Sequence, residues 1–154
     1  MRNIELVRYN QKLDTLFNKK AQEVSGDLEV QSHWARYLCV LVCGFLETAV
    51  RTTYGEYASN KAHRNVSKYV TTKLDLFRSP SMGNIIELTE LFSKEWADDL
   101  GQATDGQLKD AVNSLVAVRH QIAHGKDAGI SYVRVREYYQ SAVKVVKLLE
   151  KQCN

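Results

Sequence analysis

Arg119, His120 and His124 are the side chains best suited to chemistry on a phosphate. They fall within one short string, Arg119-His120-Gln121-Ile122-Ala123-His124, closed by Gly125. Imidazole changes charge near neutral pH, so it can take or give a proton there. Guanidinium keeps its charge and presents a planar fork that fits phosphate. A helix begun at Leu108, turning ~100° per residue, gathers Leu108, Ala111, Leu115, Val116, Ile122 and Ala123 on one apolar stripe. Arg119 falls near the middle of that stripe. His120 and His124, four residues apart, share a neighbouring face.

An arginine on an apolar face is costly unless it is matched, so it marks either an internal ion pair or an anion site. Glu47, on the polar side of an otherwise apolar helix, is the natural partner for the first. The histidines have an ordinary role too, since a cation near a helix C-terminus complements the helix dipole. The spacing His120-Gln121-Ile122-Ala123-His124 also copies the two histidines of a zinc helix. Gln121 stands where the catalytic glutamate would be, and the remote His33 and His63 have no spacing that recommends them as a third ligand. Neither a metal nor a cofactor is expected.

These residues must be positioned by helices. One Pro and eight Gly in 154 residues are few breakers, and Leu, Val, Ala, Lys and Glu are abundant. The length suits one domain, residues 1–154. The charge of +3, from 21 basic and 18 acidic residues, permits an RNA partner without demanding one. Cys39 and Cys43, four apart on one helix, have Cβ atoms ~5–6 Å apart and do not form a disulfide. They read as buried thiols in a reducing compartment, and the cytoplasm is the expected location. Cys153 is expected in a frayed tail. The longest apolar run, Leu38 to Leu46, is about half of a membrane span. Met1-Arg2-Asn3 leads straight into an amphipathic pattern, so no signal peptide is expected.

Helical segments are legible along the whole chain. The first runs from Asn3 to Val24 and is closed by Ser25-Gly26-Asp27. The second, from Leu28 to Tyr57, is apolar nearly all round at Leu38–Leu46 and should be the central buried helix. A third, weaker and basic segment spans Asn60 to Leu74. Ser79-Pro80-Ser81-Met82-Gly83-Asn84 breaks the chain, and a short helix follows from Ile85 to Phe92, continuing toward Leu100. Thr104-Asp105-Gly106 opens the motif helix, which ends at Gly125. Ser131 caps a last helix, where Val135, Tyr138, Tyr139, Ala142, Val145, Val146 and Leu149 repeat at helical spacing. The last two helices should form an antiparallel hairpin.

The string Val116-Ala117-Val118-Arg119-His120-Gln121-Ile122-Ala123-His124-Gly125, at the end of the penultimate helix, resembles the HEPN superfamily. It is most like the RiboL-PSP-HEPN and MAE-like branches. The likeness extends to Phe45-Leu46-Glu47 and to Leu91-Phe92-Ser93-Lys94-Glu95-Trp96. The resemblance implies an all-α, HEPN-like bundle of four to five helices that pairs as a homodimer. It implies a metal-independent endoribonuclease, with Arg119 and His124 at the two catalytic positions and His120 at the polar position after the arginine. Some relatives are catalytically inactive nucleotide-binding, RNA-binding or protein-interaction modules, and that is the alternative function.

The chemistry suits RNA on its own terms. Attack by the neighbouring 2′-OH needs a base, an acid and a cation for the charged phosphorane. One chain supplies half of such a set and a two-fold dimer the whole. Arg119 and His124 are also ~140° apart on a regular helix, so a bent arginine, a distorted helix end or a partner chain must bring them together. Lys126, Arg134 and Arg136 are candidate RNA contacts, and the basic third segment is a candidate track for the backbone. Tyr132, Tyr138 and Tyr139 are candidates for base stacking, with Tyr138 or Tyr139 better suited to the core. The expected setting is that of a toxin or antiviral-defence effector restrained by an antitoxin or other partner.

Overall fold

The apolar middle of the second helix requires cover, and it receives it on most sides, with Val40 left exposed within Leu38–Leu46. The computed structural model describes Met1, residues 3–18 and residues 26–154. Within them lie α1 (Ile4–Asn18), α2 (Leu28–Lys61), α3 (Arg64–Leu74), α4 (Met82–Phe92), α5 (Lys94–Thr104), α6 (Gln107–Ala123) and α7 (Tyr132–Gln152), with no strand among the described residues. α2 packs against α1, α3, α6 and α7. Leu38, Val42, Phe45, Leu46 and Ala49 are fully buried against Leu6 and Leu13 of α1, Leu115 of α6, and Val135, Ala142 and Val146 of α7. Each large apolar side chain taken from water contributes ~1.5–3 kcal/mol, so this cluster fixes the positions of α2, α6 and α7 together.

The all-α class is as expected, but seven helices are described where four to five were expected. One additional break, at Ser93, and one displaced boundary, at Ala62 and His63, change the order of elements. Ala62 and His63 leave the helical region and separate α2 from α3, with the His63 ring accepting from the Asn65 amide. Asn60 and Lys61 therefore end α2 rather than begin α3. Ser93, with φ −162°, closes α4 and opens α5, its hydroxyl accepting from the Trp96 amide.

Other boundaries shift in ways that capping explains. Asp27 belongs to α2 as its N-cap, accepting from the Glu29 and Val30 amides. Ser81 caps α4, so Met82, Gly83 and Asn84 are helical rather than part of the break. The expected extension of the first helix to Val24 and the expected stop at Ser25 lie outside the described residues. Cys153 is not in a frayed tail. α7 runs to Gln152, whose side-chain amide donates to the Trp96 carbonyl at 2.7 Å, and Cys153 packs partly buried beside it. Burial pushes its thiol up to about 11.

Gly44 permits a close approach. A Cβ there would lie 2.6 Å from the Tyr9 hydroxyl, which donates to the Leu41 carbonyl of α2 at 2.9 Å. α1 is thereby tied to the stretch of α2 that leads to Glu47. Among the described residues no helix is long and apolar enough to cross a membrane.

Candidate functional site

α6 carries the motif between two glycines with positive φ. Gly106, at φ 84°, precedes its first turn, and Gly125, at φ 67°, follows its last. The end is a Schellman motif: the Gly125 amide bonds the Ile122 carbonyl at 3.1 Å and the Lys126 amide bonds the Gln121 carbonyl at 2.9 Å. His124 is the C-cap, with φ −93° and ψ 12°, so it has left the regular helical register. The ~140° that an ideal helix would put between Arg119 and His124 therefore does not strictly apply.

Ala111, Val112 and Leu115 are the buried residues of α6. Arg119 follows Leu115 by one turn on that stripe, with its side chain 31% exposed. Its Nη1 meets Oε1 of Glu47 at 2.5 Å, so the internal ion pair expected for this arginine is present. Glu47 is not on an open polar face, since only 8% of the residue is exposed. The Ser79 amide donates to the same Oε1 at 3.2 Å. One buried carboxylate thus joins α2, α6 and the segment between α3 and α4.

Ser79 has φ 58°, a conformation that costs a side-chain-bearing residue ~1 kcal/mol or more. Both of its backbone groups are held: its N–H by Glu47 and its carbonyl by Asn84 Nδ2 at 2.7 Å. The sequence offered no sign of this contact, beyond the Ser-Pro pair that marks a turn.

Under Arg119 lie the thiols of Cys39 and Cys43, both free and fully buried. Cys39 Sγ donates to the Leu115 carbonyl at 3.5 Å. The neighbouring Cys43 thiol, together with Arg119, holds Cys39 below its ordinary value against the effect of burial. Cys43 is pushed well up by Cys39 and by burial.

The histidines stand outside that buried network. Both are exposed, and their rings meet edge-on with centroids 4.3 Å apart and planes at 67°. His33 lies beside Glu29 on α2 and His63 caps α3, so neither joins them. Among the described residues no cluster of three or more His, Cys, Asp or Glu is placed to hold a metal ion.

Lys126, Arg134 and Arg136 are exposed on the turn and first turns of the following helix. Arg134 is paired with Glu137 at 2.9 Å, and Arg136 donates to Asn18 Oδ1 at 3.4 Å. Tyr139 is a core residue: its ring stacks on Phe17 with centroids 4.8 Å apart, and its hydroxyl donates to Asp14 at 2.6 Å. Tyr132 packs on Phe17 and donates to the Phe17 carbonyl, so its ring is engaged within the protein. Tyr138 lines a groove of about 630 Å³ between α6 and α7 with Asp110, Ser114 and Lys144. A second groove, about 640 Å³, is lined by Trp96, Asp99 and Lys151. Neither groove is lined by Arg119, His120 or His124.

The geometry offers a cation braced from within and two imidazoles in ring contact at a helix end. A model of the RiboL-PSP-HEPN family matches residues 4–154. No curated protein and no solved structure matches the chain.

Proposed function

We propose, from the premise that this chain belongs to the RiboL-PSP-HEPN family, that it is a metal-independent endoribonuclease. The observation that carries this reading is the Arg119 guanidinium, pinned by buried Glu47 at the end of the helix that His124 caps. A fixed cation near a group able to move protons at neutral pH suits phosphoryl transfer, where charge builds on oxygens that need a pre-placed partner.

In this reaction the ribose 2′-OH loses its proton and its oxygen bonds to phosphorus. The bond from phosphorus to the 5′ oxygen breaks, and that oxygen takes a proton. The products are a 2′,3′-cyclic phosphate and a 5′-hydroxyl. His124 acts in proton transfer, Arg119 stabilises the phosphorane, and His120 orients the phosphate against the His124 ring. Base and acid must stand on opposite sides of the phosphorus, so one motif is half a site. We infer a homodimer in which the C-terminal ends of the two α6 helices face one another. Within a cell, such an enzyme requires restraint, and a toxin or defence effector with a cognate partner in the cytoplasm fits that need.

The test compares wild type with His124→Ala on bulk RNA in the presence of EDTA. The expected result is cleavage by wild type and near-loss in the variant, with a smaller loss for His120→Ala. Equal rates would leave the family's other reading, a catalytically silent binding module. Loss of wild-type cleavage in EDTA would restore the His120/His124 metal reading. Sedimentation at about ten micromolar, within the usual range of weak dimers, should give a dimer, and a monomer there would count against the shared site.

A further inference from the structure

α3 is basic without being matched. Arg64, Lys68 and Lys73 lie on it, and it contains no carboxylate. Arg119, Arg134 and Lys94 all have acidic partners, whereas among the described residues none of these three cations is paired with one. Lys73 instead rests over the ring of Tyr69, 5.5 Å from its centroid. Tyr69 is 64% exposed, Val66 one turn before it on α3 is 53% exposed, and Leu76 just after α3 is 70% exposed. One face of α3 is fixed to α2, where a Cβ at Gly55 would touch Thr71 and Leu74.

An outward aromatic flanked by unmatched cations suits a flexible polyanion with π faces, which is single-stranded nucleic acid. A duplex would offer phosphates but no base for the ring. The direction of α3 adds a second argument. It doubles back along α2, and the chain after it reaches Ser79, whose amide lies on the carboxylate that holds Arg119. The ~16 Å of α3 matches about five stacked nucleotides at ~3.4 Å each, leading to the motif.

We propose that the outer face of α3 is a docking track for single-stranded RNA, with Arg64, Lys68 and Lys73 on phosphates and Tyr69 beneath a base. As a path to the cutting centre it rests on the nuclease reading; as a binding surface it does not.

Binding of a fluorescent twelve-nucleotide single-stranded RNA is measured by anisotropy across a salt series, in the full chain carrying His124→Ala to prevent turnover. Each phosphate neutralised on a single strand contributes ~0.7 to the slope of log affinity against log salt. Lys68→Ala with Lys73→Ala should lower that slope by about 1.4. Lys144→Ala with Lys147→Ala on α7 makes the same change in net charge and should lower it far less.

Tyr69→Leu keeps an apolar side chain but removes the π face, and should weaken binding about tenfold, toward the lower end of what one stacked base contributes. Tyr69→Phe should bind like the parent. The track is overturned if the wild-type slope survives the α3 pair, if the α7 pair costs as much, or if Tyr69→Leu binds like Tyr69→Phe. The last outcome would assign the stripe to a protein partner. Variant-sensitive binding without any wild-type cleavage would sink the nuclease reading and leave the track. Cleavage and binding untouched by the α3 changes would do the reverse.

Discussion

Arg119 and His124 are five residues apart in one chain segment and are supported in opposite ways. Arg119 is held from inside by a buried carboxylate that also takes a backbone amide from another segment. His124 is held from behind only, by the backbone bonds that end α6, and its ring meets that of His120 in the open. A cation that must be in place before charge develops gains from rigidity. A proton carrier must reach two positions in turn, and exposure leaves it that freedom. If the proposed cleavage holds, the same contrast means that Arg119 serves the fold as well as the reaction, whereas His124 serves the reaction alone.

The largest effect should come from the outer member. His124→Ala should cut the rate of RNA cleavage by ~10²–10⁴-fold, as loss of a general acid or base does. Its melting temperature should match wild type, because an exposed side chain leaves no hole. A fall in melting temperature of several degrees would break the contrast.

The inner member should show the converse. Glu47→Ala strands the guanidinium and the Ser79 amide. For a fully buried pair that costs ~3–5 kcal/mol. Arg119 is partly solvated, so about 2–3 kcal/mol is expected in urea unfolding, together with loss of cleavage. Glu47→Gln should recover part of the stability by accepting from both donors. Unchanged stability in Glu47→Ala would show that the brace is not structural.

pH separates fold from site in a third way. Burial, and for Tyr139 also the Asp14 carboxylate, raises Tyr54 and Tyr139 above 10.0 in the folded chain. In the unfolded chain they ionise near 10.0, so unfolding releases protons above that pH. Stability should be level below it and fall as pH rises beyond it. Urea midpoints at about pH 8.5 and about pH 10.5 test this, and Tyr139→Phe should flatten the fall. A midpoint that rises with pH would have the wrong sign.

The smallest effect is expected at Gly44→Ala. Helix propensity favours alanine by ~1 kcal/mol, and displacing the Tyr9 hydroxyl from its carbonyl costs ~1 kcal/mol. The net change in urea unfolding should stay near zero. A large loss would mean that the α1–α2 contact is stiffer than one hydrogen bond and that it braces the inner side of the site.

Much of this arrangement was legible in the residues, for identifiable reasons. The ends of α6 carry glycines with positive φ, the strongest local punctuation a chain has. Leu38–Leu46 could only be a core helix. An arginine on an apolar stripe demands an acid, and Glu47 follows that run directly. The break at Ser93 was not legible, and the one between α2 and α3 was expected a few residues early, since no Gly or Pro marks either and the periodicity on both sides is helical. Ser79 on Glu47 was out of reach too, because it joins positions 32 apart through a single backbone amide. Tyr132 misled for a related reason: it was a candidate for base stacking, but the Phe17 ring and carbonyl engage it, while Tyr139 is in the core as one of the two tyrosines expected there.

α2 is made early and finished late. At 34 residues it is the longest helix described, ~50 Å from end to end. The stripe at Leu38–Leu46 waits for α6 and α7, which follow it in the chain. On a ribosome, that stripe therefore has only α1 among the helices made before it while most of the remaining protein is translated, and a hydrophobic surface of that kind attracts chaperones and like chains. Ending the chain after Gly125 should give a collapsed, aggregating product instead of a smaller folded one. A soluble, cooperatively melting truncation would mean that the helices up to α6 suffice to cover the spine without α7, and that synthesis of this protein carries no such exposed interval up to its last helix.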